Sequence, residues 1–148
     1  MTGPDPYNLN RFVEAQADVY DTALAEIRTG RKRTHWMWFI FPQIDGLGSS
    51  ETARYYAIES AGEAREYLTH PILGKRLREC ADALLRTPAR SAADVFGYPD
   101  DLKLRSSATL FMSVSEPGSV FARLIARFFG GEPDAKTLEL LARRDARE

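Results

Sequence analysis

The run Arg31-Lys32-Arg33 is followed at once by His35, Trp36 and Trp38, so cations and aromatic faces stand side by side. Cations hold phosphate while an indole face stacks on a base, a contact worth roughly 1–3 kcal/mol per base. The ligand this composition suits is a small anion or a nucleotide. A structural reading competes with it: positive charge is favoured at a helix C-terminus, and two tryptophans are what a small core buries in any case.

A second group sits on the helix opened by Pro99. Asp100, Lys103 and Ser107 fall at i, i+3 and i+7, so carboxylate, ammonium and hydroxyl share one face while Leu104, Ala108 and Phe111 line another. Arg105 and Ser106 flank this strip. A polar strip beside an apolar one can line a pocket; it can equally be a solvated face with an Asp-Lys pair worth a few tenths of a kcal/mol. Gln16 lies inside an apolar stripe, either as a satisfied buried amide or as a ligand contact. Gly46-Leu47-Gly48-Ser49-Ser50 leads into a helix, and its free amides could cradle an anion. It lacks the lysine of a P-loop, and Glu51 would repel phosphate, so a tight turn with a serine cap is the competing reading.

Metal chemistry has little to build on. His35 and His70 have neither an HExxH context nor paired cysteines, and Cys80 shares a stripe with Leu77 and Leu84, where a thiol behaves as a small hydrophobe. No cofactor is expected, and a buried thiol that resists ionisation is a poor nucleophile.

The chain that must position these groups has 148 residues, 20 Lys plus Arg against 21 Asp plus Glu, and one cysteine. Area scalings for this size give roughly 7,600 Å² exposed when folded against about 24,000 Å² unfolded, enough burial for a core without metal or disulfide. A net charge of −1 provides no field for a polyanion, so general nucleic-acid binding is excluded as a leading reading. Met1 to Tyr7 shows no basic-then-apolar stretch, and the longest apolar run, Trp36 to Pro42, is far short of the about 18 residues that span a bilayer. The expectation is a cytoplasmic protein without a membrane segment.

Punctuation and periodicity predict a single all-α domain over 1–148, with seven to eight helices and one short extended segment around 34–42. Leu9 to Ile27 carries the apolar spacing of one helix of about 20 residues, capped by Asn8 or Asn10 and closed by Gly30. The segment from Arg31 to Ser50 has no helical period, and its aromatic and β-branched content suits an extended stretch, buried on both faces and ending at Pro42. Ser50 caps a helix over 51–58. Ser60 and Glu63 form a capping box, each satisfying the other's amide, and Pro71 fits the first position of the next helix. That helix runs to about Arg86 on the stripe Leu73, Leu77, Cys80, Ala81, Leu84 and Leu85. Short helices over 92–96 and 99–113 follow, then one over 120–129 capped by Ser119, and a last one capped by Asp134.

These residues also carry a resemblance. Over nearly its whole length the chain resembles the bacterial family catalogued as domain of unknown function 1810, sometimes labelled calpastatin. The likeness rests on Ala15-Gln16, on Gly30 and Lys32 with His35-Trp36-Met37-Trp38-Phe39-Ile40-Phe41-Pro42-Gln43, and on Gly46 to Ser50. Glu63-Ala64, Tyr67-Leu68, His70-Pro71, Asp101-Leu102-Lys103-Leu104, Ser106-Ser107 and Thr109-Leu110-Phe111 extend it. It implies a multihelical fold and no established activity, and the folded composition gives the calpastatin label no support. It also places Gln43, Ser106 and Ser107 among the signature positions, and Ala108 stands where the family carries methionine.

A fainter likeness, in the order of elements only, is to the NADAR group of ADP-ribose and riboside-processing domains: Glu63-Ala64 at a helix start, a following helix, and a later helix carrying Lys103. It implies recognition or cleavage of an N-glycosidic bond. A carboxylate would then stabilise oxocarbenium charge or orient water, while Lys103, Lys32 or His35 held phosphate. Capping already accounts for Glu63, which leaves Asp101 as the catalytic candidate. Gln16, Lys32, His35, Trp36, Trp38, Gln43, Lys103, Ser106 and Ser107 are the ligand-binding candidates. The alternative is a non-catalytic interaction or structural domain in which these residues form a buried aromatic and polar network.

Overall fold

The computed structural model describes residues 4–145. Among these residues ten helices follow in chain order: α1 (Asn10–Gln16), α2 (Tyr20–Thr29), α3 (Met37–Ile40), α4 (Glu51–Tyr55), α5 (Ala61–Thr69), α6 (Leu73–Arg86), α7 (Ala92–Phe96), α8 (Asp100–Met112), α9 (Val120–Phe128) and α10 (Ala135–Asp145). Extended pairing among the described residues is confined to one parallel bridge between Ile44 and Ile58. The all-α class therefore holds, and two local departures account for the larger number of helices. Among the described residues no helix is long and apolar enough to cross a membrane.

The first departure is a break in the long N-terminal helix at 17–19. Buried Phe12 and Gln16 turn α1 toward α3, whereas Tyr20, Ala23, Leu24 and Ile27 turn α2 toward α6. One straight helix could not serve both partners. The second is at 34–42, where the expected extended stretch is a helical turn. Trp36, Met37, Ile40 and Phe41 are buried and Trp38 and Phe39 are half-buried, a spacing of i, i+1, i+4, i+5 that matches a helix rather than strand alternation. Trp36 and Phe41 both meet Phe96 edge-on, at 6.1 and 6.0 Å between ring centroids, a favourable aromatic geometry. Extended backbone is reached only beyond Pro42, where Ile58 N–H donates to Gln43 O and Asp45 N–H to Ile58 O, each at 2.8 Å.

Several caps follow the sequence. Gly30 closes α2 with φ 82°, a left-handed conformation that favours glycine. Ser50 and Ser119 accept from the amides of Ala53 and Ala122. Other ends differ. Neither Asn8 nor Asn10 caps α1; the Asp5 carboxylate accepts from the amides of Leu9 and Asn10, at 2.7 and 2.9 Å. Ser60 accepts from Glu63 N–H as expected, but Glu63 returns to the amide of Glu59, while its other oxygen pairs with buried Arg11 at 2.9 Å. Pro71 lies in the turn before α6, whose first amides are taken by His70 Nδ1 from Ile72 and Leu73.

Central to the packing is α8, which lies against α5, α7, α9 and α10. Its middle, from Ser106 to Phe111, is buried, while its first turn reaches the surface near the segment after α3. The functional candidates are gathered at that end.

Candidate functional site

The basic segment after α2 is wound around one carboxylate. Glu26 Oε1 accepts from the amides of Arg33 and Thr34, at 2.7 and 3.0 Å, and from the Trp36 indole N–H at 2.9 Å, and Oε2 accepts from the Thr34 hydroxyl at 2.8 Å. Burial by itself would raise the carboxyl's pKa. The Arg33 amide, the Trp36 indole and the two Thr34 donors outweigh it and hold the group at about 2. This knot seats Trp36 in the core, with no exposed surface.

Lys32 leaves the same segment in the other direction. Its Nζ is 3.0 Å from Asp100 Oδ2, and Lys103 Nζ is 3.3 Å from Asp100 Oδ1, so a single carboxylate bridges two ammonium groups. Each lysine also stands over an indole: Lys32 5.1 Å from the Trp36 ring and Lys103 5.0 Å from the Trp38 ring, within cation–π range. Their exposure separates them. The Lys32 side chain is 8% exposed and the Lys103 side chain 26%.

A cleft of about 380 Å³ opens beside Lys103. Leu47 to Ser50, the glycine loop, form one side, and Pro99, Leu102, Lys103 and Ser106 from the start of α8 form the other. Trp38 and Gln43 complete it, both half-buried. Ser106 donates to Leu102 O at 3.2 Å, and its oxygen keeps acceptor capacity. Among the described residues that line it, none is acidic.

Behind the glycine loop, α10 acts as a brace. Arg144 pairs with Asp45 at 2.8 Å and with Glu59 at 3.1 Å, so it joins both sides of the Ile44–Ile58 bridge. Leu140 lies so near Gly46, which has φ 108°, that an added Cβ would come within 3.1 Å of it.

Of the residues proposed from sequence, Trp38, Gln43, Lys103 and Ser106 meet at this cleft. Lys32 reaches it only through Asp100. Trp36 is behind it in the core. Gln16 is a satisfied buried amide: Nε2 donates to Phe39 O and the Tyr67 hydroxyl, at 2.7 and 3.2 Å, and Oε1 accepts from Arg76 at 3.3 Å. His35 is exposed and outside the lining. Ser107 is buried with its hydroxyl unpartnered among the described residues, and Asp101 has one buried oxygen in the same condition. Neither lines the cleft, and the carboxylate that faces the lysines is Asp100. Sequence reasoning did not single out Glu26. The available signal was a carboxylate at the edge of the Ala23, Leu24, Ile27 stripe with an indole ten residues on. Among the described residues no three His, Cys, Asp or Glu side chains gather as a metal site would require.

Comparison with known proteins agrees with this architecture. The family model described as a protein of unknown function (DUF1810) matches residues 6–141. A crystal structure of the conserved hypothetical protein Rv1873 from Mycobacterium tuberculosis is similar at 51% identity and a TM-score of 0.91, covering 93% of this chain and 99% of that one. No curated protein matches. With the family model spanning most of its length, the chain belongs to the DUF1810 family.

Proposed function

We propose that the cleft between the glycine loop and α8 binds a small molecule that combines a planar ring with a negative charge, the chemistry of a mononucleotide or an ADP-ribose-like N-glycoside. The observation that carries this reading is the convergence of Trp38, Gln43, Lys103 and Ser106 from separate segments onto one concavity. An indole offers stacking surface, a primary amide offers a donor and an acceptor in one plane, and an ammonium offers charge. A volume of about 380 Å³ falls toward the lower end of the roughly 300–1,000 Å³ typical of small-molecule sites.

Binding rather than hydrolysis is the activity this lining supports. Cleavage of an N-glycosidic bond calls for a carboxylate at the sugar. Asp101 is not part of the lining, and Asp100 is engaged by two lysines. Calorimetric titration of nucleoside monophosphates and ADP-ribose into the protein tests the proposal. Saturable binding that weakens in Lys103→Ala and Trp38→Ala supports it. Equal affinity in both variants and wild type contradicts it.

The alternative, a non-catalytic interaction or structural domain, draws on the internally satisfied Gln16 and Trp36. It predicts no response to any of these ligands.

A further inference from the structure

The charge arrangement around Lys103 narrows the class of ligand, on the assumption that the cleft binds an anion as proposed above. Three charged groups meet at the head of α8: Lys32, Asp100 and Lys103. Together they carry one net positive charge. Lys32 is the inaccessible member, covered to 8% exposure and held between Asp100 and the face of Trp36. Lys103 is the accessible one, and among the described residues it is also the only cation in the cleft lining.

An anion that enters beside Trp38 therefore meets one ammonium group, with the Asp100 carboxylate 3.3 Å behind it. One negative charge completes the balance. A second would stand close to Asp100 with no further cation among the described lining residues to offset it, since Arg54 on α4 is turned to the Ser49 carbonyl, at 2.6 and 3.0 Å, and like charges in a partly desolvated site repel strongly.

We infer that the cleft selects a singly charged anion, such as a phosphodiester or a carboxylate, over a dianionic phosphate monoester of the same ring and sugar. Asp100 is the residue that sets this preference. It spaces the two lysines and withholds from the ligand the second positive charge that a dianion needs.

The test compares three probes with one ring: adenosine, adenosine 5′-monophosphate, and its O-methyl phosphodiester. The monophosphate passes from monoanion to dianion as pH rises through about 6, whereas the methyl ester stays a monoanion. The expected result is methyl-ester binding that is constant with pH, and monophosphate binding that weakens by about threefold or more on going from about pH 5.5 to 8. In Asp100→Asn the order reverses, and the monophosphate binds more tightly than the ester at the higher pH. In Lys103→Met both anions weaken together, and by more than adenosine does.

Tighter binding of the dianion to wild type overturns the inference, as does an unchanged ratio in folded Asp100→Asn. Should that variant not fold, the wild-type pH comparison decides alone. Binding of adenosine without preference among the anions removes the charge assignment and leaves the ring-binding cleft standing. No binding by any of the three removes both.

Discussion

The indole N–H of Trp36 donates to Glu26 Oε1 at 2.9 Å, and this contact separates two tryptophans that are only two residues apart. Trp36 is held inward by the carboxylate and packs on Phe96, whereas Trp38 borders the cleft beneath Lys103. Of the two indoles, Trp38 is the one placed to meet a ligand.

Removing the Glu26 charge should destabilise the fold in a pH-dependent way. Its folded pKa of about 2 lies below the ordinary 4.5, so its stabilisation is complete above that ordinary value and is lost as pH falls toward the folded one. Glu26→Gln leaves donors of the 33–36 segment poorly matched and should cost about 2 kcal/mol at neutral pH. Urea unfolding at a series of pH values checks this. The gap to wild type should shrink as the solution is acidified through the window below 4.5, and a constant gap would refute the role assigned to Glu26.

The two tryptophans should respond in opposite ways to truncation. Trp36→Ala empties a fully buried site and should cost about 3–5 kcal/mol of stability. Trp38→Ala, at a half-buried position, should cost about 1 kcal/mol and act mainly on ligand affinity. Paired denaturation and binding curves would distinguish them, and similar losses of stability would count against the assignment.

Gly74 should tolerate no side chain. A Cβ there would sit 2.0 Å from the carbonyl oxygen of Leu68, where α5 and α6 cross closely. Gly74→Ala should lower stability by about 1–3 kcal/mol or more, since the obstacle is backbone and must move. An unchanged melting temperature would show that the helices can separate freely.

Cys80 should be inert in the native protein. Burial, the largest influence, pushes its thiol up to about 12, and the hydrogen bond with Tyr20 offsets this only in part. Iodoacetamide should label it readily in denaturant and hardly at all in native buffer near neutrality. Native labelling at the rate of a free thiol would mean that the α2–α6 contact opens.

Features set within one turn of helix were legible in the sequence. Gly30, Ser50, Ser119 and the stripe through Leu77, Cys80 and Leu84 each follow from local spacing. What depended on a distant partner was not. The break at 17–19 follows from α1 and α2 packing on different neighbours, and the helical turn at α3 follows from which aromatic rings the core accepts. Asp100 and Lys103 could be paired from their spacing, but the arrival of Lys32 at the same carboxylate required the fold. Trp36 and Trp38 are alike in composition, and only the position of Glu26 tells them apart.

The most direct test of the central claim uses both indoles at once. In a ¹H–¹⁵N spectrum of the protein, titration with adenosine 5′-monophosphate and its methyl ester should move the Trp38 indole signal and the Gln43 side-chain amide, together with the backbone amides of Ser49 and Ser50. The Trp36 indole, bound to Glu26, should stay in place as an internal control. Movement of Trp36 without Trp38, shifts confined to another face, or no shifts at saturating ligand would contradict a binding cleft between the glycine loop and α8.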